Sequence, residues 1–170
     1  MMDCEQLLAL LGQHAFECPV ERHERIYTMA QSDQLVLQLE GMRCKNLLLQ
    51  DKKGVLYLVV TSSGKAVDLQ ALSAVLGSAR LSFASAERLL EVLGVTPGEL
   101  SPLALINDRH KQVHLVMDQA IGDTSHYLFH PLDCGVSIQV SPSQLVRFLC
   151  VTGHSANSVP VTARGPSRCS

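Results

Sequence analysis

Two apolar runs constrain this chain more than any other feature. Asn46 to Leu49 and Val55 to Thr61 flank the polar turn Asp51-Lys52-Lys53-Gly54. Apolar runs around a polar turn that closes on glycine form a β-hairpin. The stretch VLYLVV shows no alternation of polar and apolar residues, so it predicts a strand covered on both faces. The rest of the chain must supply that cover.

The elements predicted around the hairpin alternate in type. Leu7, Leu8, Leu10 and Leu11 share one face of a helix over residues 4–13. Leu35 to Leu39 alternates and reads as a short strand. Asp68 caps a helix carrying Leu69, Leu72, Val75 and Leu76 that stops at Gly77; a second follows Ser85, with Leu89, Leu90 and Leu93 on one face and Gly94 as its stop. Thr96-Pro97-Gly98-Glu99 fits a capping box over a very short helix, cut off by Pro102. Leu103 to Ile106, Val113 to Met117, Tyr127 to His130 and Val136 to Val140 read as strands. Ser141-Pro142-Ser143-Gln144 is a further capping box, opening a helix with Leu145, Phe148 and Leu149 that ends at Gly153. Interleaved helices and strands, some joined as hairpins, predict a mixed α/β (α+β) fold with a mixed sheet. The domain is expected over 1–154. Residues 155–170, rich in Ser, Pro, Gly and Arg, read as a loose tail.

The whole chain has 170 residues, the size of one domain, and 46% apolar types give it enough to bury a core. A net charge of −2 excludes a protein that coats nucleic acid by bulk electrostatics, although contact with one nucleic-acid end stays open. With aromatics at 4% and no Trp, a stacking platform for single strands is equally excluded. No run approaches the about 18 apolar residues of a membrane helix, and Leu7 to Leu11 follows Asp3 and Glu5 rather than basic residues, unlike a signal peptide. Six cysteines, the nearest pair fourteen residues apart, lack the C-x-x-C spacing of zinc or redox motifs and read as buried free thiols. A soluble, cytoplasmic, monomeric protein is expected.

Individual sites are less decided. His110/His114 and His126/His130 are spaced four apart, but on strands four residues span roughly 13 Å, too far for one metal; no metal is expected. Neither a nucleophile elbow nor a visibly activated cysteine is present; Cys134 after His130 reads as a structural thiol. Arg43-Cys44-Lys45-Asn46 is either a solvated strand end or an anion site in which Lys45 meets a phosphate. Gly98 to Pro102 is either a connector or a rigid loop that orients carbonyls or anions through its backbone. His130, held extended by Pro131, is equally open.

Together, however, these segments resemble a known family. KNLLLQDKKGVLYLVV (Lys45 to Val60) is similar to the hairpin of the YbaK-like aminoacyl-tRNA editing domains associated with prolyl-tRNA synthetase. GVTPGELSPLALIND (Gly94 to Asp108) resembles that family's G-x-x-x-P loop, and FHPLDCGVSIQVSPSQLVRFL (Phe129 to Leu149) its closing His-Pro strand and helix. ERHERIYTMAQSDQL matches more weakly, with His23 and Thr28 at the corresponding positions. The resemblance is greatest to free-standing deacylases that clear alanine from tRNA(Pro), and covers roughly 5–154. It implies a mixed, curved, partly barrel-like sheet surrounded by helices. It implies hydrolysis of the ester of mischarged tRNA(Pro), alanine first and cysteine as the alternative, with the CCA end of tRNA and prolyl-tRNA synthetase as partners and no cofactor. A non-catalytic tRNA- or synthetase-binding module is the reading from another class. Carried over by motif, Lys45 and His130 are the catalytic candidates: Lys45 binds the phosphate or ribose region, and His130 positions the substrate end or water. Asn46, Gly98, Ser101, Pro102, His23 and Thr28 are the substrate-binding candidates. Gln50, where the family often has a basic residue, and Asp133-Cys134-Gly135-Val136-Ser137, where an Asn and Thr-rich stretch is usual, depart from the pattern near the expected pocket.

Overall fold

The computed structural model describes residues 1–165. Its helices are α1 (Cys4–Gln13), α2 (Met29–Gln34), α3 (Leu69–Leu76), α4 (Ala86–Leu93) and α5 (Pro142–Thr152). Its strands are β1 (Val20–Arg22), β2 (Met42–Asp51), β3 (Leu56–Ser62), β4 (Leu81–Phe83), β5 (Val113–Asp118), β6 (Tyr127–Phe129), β7 (Val136–Val140) and β8 (Ala156–Val159). Short 3-10 turns occupy Pro97–Glu99, Pro102–Asn107 and Gln119–Ile121.

The expected hairpin is the centre of the molecule. β2 and β3 pair antiparallel with Leu48 opposite Leu58 and Asn46 opposite Val60. The turn is tied by the buried Asp51 carboxylate, which accepts from the amides of Lys53 (2.9 Å) and Val55 (3.0 Å). Both faces of β3 are covered, as its composition requires. Leu58 and Val60 join the larger core with Leu103, Phe129 and Phe148; Val59 and Leu49 face Leu72 and Val116 in a second cluster.

Around this hairpin the sheet is mixed, in the order β1-β7-β6-β2-β3-β5-β8, with β4 on the far end of β2. β2/β6, β3/β5 and β5/β8 run parallel; the remaining pairs are antiparallel. No pairing joins β1 to β8 among the described residues, so the curved sheet stays open. The helix ends follow the sequence: Asp68, Ser85 and Ser141 cap α3, α4 and α5, and Gly77, Gly94 and Gly153 end them in the left-handed region. No helix among the described residues is long and apolar enough to cross a membrane.

Four sequence expectations are corrected. Leu35 to Leu39 is not a strand: its exposure alternates, but no neighbour pairs with it, and the amides of Gln38 and Leu39 turn to the Glu21 carboxylate instead (2.8 and 3.0 Å). Leu103 to Ile106 is not a strand but part of the 3-10 turn Pro102–Asn107. Pro at its first position and the Ser101 cap start the turn, and burial on every side removes the alternation a strand would show. Cys150 is exposed rather than a buried thiol. The loose tail is corrected over Ala156–Val159, which forms β8 against β5, with Val159 and Val161 buried in the second cluster and Val67 bridged to Ala163. Its polar sequence, ANSV, hides the strand because only one of its four residues is buried. Residues 166–170 of that expectation lie outside the described residues.

Candidate active site

The candidate residues meet where the sheet divides. β2 pairs with β6 only through Met42 and Arg43; from Cys44 onward its ladder is with β3. β6 itself ends at Phe129, one residue before His130. The parting strands leave a cavity of about 240 Å³ with Cys44 to Leu47 on one lip and His130 on the other. Ile26 to Met29 and the Pro97–Glu99 turn with Leu100 close the remaining sides.

Glycine at position 98 permits this closure, because a Cβ there would stand 3.1 Å from the carbonyl oxygen of Ile26. Thr28 caps α2, its hydroxyl accepting from the Gln31 amide at 3.1 Å. The α2 helix buries none of its residues. Its carbonyls at Ser32 and, just beyond it, Leu35 are instead held by the guanidinium of Arg43. Arg43 is therefore engaged with the protein, and Lys45 is the cation that lines the cavity.

Strand alternation sends the side chains of Lys45 and Asn46 to opposite faces of β2. Lys45 Nζ donates to the carbonyl of Lys65 at 2.9 Å. Asn46 Oδ1 is buried and has no hydrogen-bond partner. A buried acceptor left unpaired costs about 1–3 kcal/mol, so the site carries an unmet demand for a donor.

The His130 ring is fixed by its backbone partner. The carbonyl of Val136 can only accept, so Nδ1, 2.8 Å away, carries the hydrogen and Nε2 is the free acceptor of the neutral ring. Burial pushes the His130 pKa below its ordinary value, and His23 reinforces this against the opposing pull of the Val136 carbonyl. His130 is thus neutral at pH 7. His23 stands edge-on to it, ring centroids 6.0 Å apart, with its own nitrogens engaged by the Glu24 carbonyl (2.7 Å) and Ser137 Oγ (2.8 Å).

Of the sequence candidates, Lys45, Asn46, Thr28, Gly98 and His130 line the cavity. His23, Ser101 and Pro102 do not. His23 backs His130. Ser101, fully buried, donates to the His130 carbonyl at 2.7 Å and accepts from the Leu103 amide, while Pro102 starts the buried 3-10 turn. These three brace the site rather than face a ligand. Sequence reasoning missed Ile26, Tyr27, Met29 and Leu100 as lining residues; all are apolar or aromatic types whose position only the fold reveals. Cys44 also lines the cavity, but burial raises its thiol pKa to about 12, which leaves no thiolate nucleophile at neutral pH. No group of three or more His, Cys, Asp or Glu that could hold a metal occurs among the described residues.

The cavity is therefore lined by Asn46, a neutral His130 and Lys45 beside an apolar wall, with the buried Asn46 Oδ1 still lacking a donor. Such a set suits a ligand with hydrogen-bond donors, a negative charge nearby and a small uncharged side chain. Residues 23–148 match the model of the aminoacyl-tRNA editing domain. The chain is 30% identical over 160 residues to the prolyl-tRNA editing protein ProX of Acetoanaerobium sticklandii, covering 93% of this chain and 98% of that one. It is 34% identical to the prolyl-tRNA synthetase associated domain-containing protein 1 of Danio rerio, over 89% of this chain and 83% of that one. A crystal structure described as a candidate trans-editing enzyme for prolyl tRNA synthetase superposes with a TM-score of 0.70 at 19% identity, covering 97% of this chain and 99% of that one, a likeness of fold.

Proposed function

The chain belongs to the aminoacyl-tRNA editing domain family, and from that premise we propose that it is a free-standing deacylase that hydrolyses the ester of mischarged tRNA(Pro), with alanine as the amino acid removed. The observation that carries this reading is that Lys45, Asn46 and a neutral His130 line one cavity, Asn46 bearing a buried acceptor with no partner. The end of an aminoacyl-tRNA presents the complementary groups: an α-ammonium and a ribose hydroxyl as donors, and a phosphate as anion. The near-neutral net charge of −2 suits an enzyme that grips the CCA end rather than the length of a nucleic acid.

The chemistry asks little of the protein. An aminoacyl ester is already activated, so orienting water and stabilising the oxyanion suffice. In the proposed reaction, Asn46 accepts from the ammonium or a ribose hydroxyl, and Lys45 binds the phosphate or ribose region. His130 Nε2 accepts from the attacking water, while the backbone of the Pro97–Leu100 loop orients the carbonyl. Water adds to the ester carbon, the bond to the ribose oxygen breaks, and that oxygen leaves with a proton as the tRNA hydroxyl. The free amino acid is the other product.

Alanine is favoured because Ile26, Met29, Leu47 and Leu100 supply an apolar wall in a cavity of about 240 Å³, with no carboxylate among its lining residues to pair a charged side chain. An apolar pocket separates a methyl from a thiol by only about 1–3 kcal/mol, so cysteine is the competitor. The test is deacylation of Ala-, Cys-, Ser- and Pro-charged tRNA(Pro) by the purified protein with EDTA present. Selective loss of Ala-tRNA(Pro) supports the proposal. Preference for Cys or Ser keeps the reaction and overturns the amino acid, and survival of every ester overturns the reaction.

A further inference from the structure

Behind Lys45 lies a buried ion pair that the proposed reaction does not use. Lys65 Nζ is 2.6 Å from Asp118 Oδ2 and donates to the carbonyl of Val161 at 2.8 Å. The Asp118 side chain is 1% exposed and that of Lys65 19%. Thr61, opposite Lys45 in the β2/β3 register, donates to the same carboxylate oxygen at 2.6 Å, and the Ala120 amide donates to the other at 3.0 Å. The backbone carbonyl of this same Lys65 receives the ammonium of Lys45. One residue thus ends in a clamp on its side chain and a contact to the site on its backbone.

A pair of this kind is poor at adding stability, because desolvation cancels much of its attraction and apolar isosteres do as well. What it supplies is direction. Lys65 follows Ser62-Ser63-Gly64, a turn of small residues; the Ser62 and Ser63 side chains are only partly buried, and a Cβ at Gly64 would meet nothing within 4 Å. Its backbone is held by the Lys65 amide on the Ser62 carbonyl (3.1 Å) and the Ser63 amide on the Arg43 carbonyl (3.3 Å). The clamp adds a side-chain anchor to these backbone bonds, and it draws on the end of β5 and on the segment after β8 to do so.

We propose that Lys65, clamped by Asp118 and Val161, is a positioning residue whose carbonyl sets the Lys45 ammonium at the site. This rests on the role given to Lys45 in the proposed deacylation. Held by one acceptor, the ammonium keeps its other hydrogens for the substrate.

The test is a double-mutant cycle on the full chain with Ala-tRNA(Pro): Lys65→Met and Lys65→Arg, each alone and with Lys45→Ala. Lys65→Met is expected to lower kcat/KM about tenfold, the scale of one hydrogen bond to a charged group, and Lys65→Arg to recover part of the loss. In the Lys45→Ala background, Lys65→Met is expected to change nothing further. Equal fractional losses in both backgrounds overturn the proposal. If Lys65→Met does not fold, Lys65→Met with Asp118→Leu removes both charges and enters the same cycle. A second readout needs no tRNA. The chain has five lysines, so the Lys45 ε-carbon resonance can be assigned by its loss in Lys45→Ala. That resonance is expected to shift in Lys65→Met. If it stays in place the positioning by the clamp is refuted, whatever the enzyme does. If it shifts in a protein that deacylates nothing, the contact stands and the proposed reaction is what falls.

Discussion

At the scale of single residues, Asn46 and His130 are each tuned in a way that carries a measurable cost. Asn46 Oδ1 is buried without a partner; in the proposed reaction a donor on the substrate pairs with it. Asn46→Leu removes the orphan acceptor, so its expected effect is a stability gain of about 1 kcal/mol together with loss of deacylation. Urea unfolding and single-turnover hydrolysis, run on one preparation, check both halves. His130 presents the opposite balance. Its pKa lies below 6.5 because burial disfavours the imidazolium. The folded state therefore favours the neutral ring. That contribution to stability is complete above the unfolded value and is lost as pH falls through the folded one. The acid limb of kcat/KM, which reports the free enzyme, is expected below pH 6.5. His130→Ala should lower kcat about 100-fold or more and remove that limb, as for other positioned bases. A mutant whose pH profile keeps the limb would assign it to another group.

At the scale of elements, α2 is held by polar contacts rather than by packing. It buries no residue, and Arg43 grips the carbonyls of Ser32 and Leu35. Arg43→Met is expected to speed amide exchange over 29–39 while leaving the β2/β3 hairpin protected, since local opening follows the number of buried contacts. It should also raise KM, because Thr28 and Met29 line the cavity. The same contrast explains which elements could be read in advance. The hairpin was legible because VLYLVV has apolar cover on both faces, and α3, α4 and α5 because their caps are local chemistry. α2 and β8 were not, since MAQSDQ and ANSV are polar and gain their form from distant partners. The site divides in the same way. Lys45, Asn46 and His130 stood out only through the family resemblance; composition and spacing left them open. Ser101 belongs to the same loop motif, yet it braces the His130 carbonyl from behind, and only the three-dimensional path of Pro102–Asn107 shows this.

At the scale of the whole molecule, the cavity lies where the open sheet divides at β2, and β8 covers the far edge of that sheet. β8 covers the edge of β5, which in turn pairs with β3, and Val159 and Val161 seal the second core cluster beside Val116 and Leu72. Composition alone places the end of the domain at residue 154, ahead of all these contacts. A chain ending there would lose two buried valines, worth about 1.5–3 kcal/mol each as an upper estimate, out of a total of about 5–15 kcal/mol. It would also leave Lys65 without the Val161 carbonyl and expose β5 as an unpaired edge. The expected outcome for the 1–154 chain is a lower urea midpoint and association through β5, visible as a shift in sedimentation at rising concentration. Deacylation by its folded fraction should be weakened as well, because the anchor behind Lys45 has lost one of its contacts. A 1–154 chain that matches the full one in midpoint, sedimentation and rate would show that the domain ends at 154 and that β8 is an accessory strand. The geometry argues otherwise: the segment that looks least structured in the sequence closes the sheet edge and reaches, through Val161 and Lys65, to within one hydrogen bond of the site.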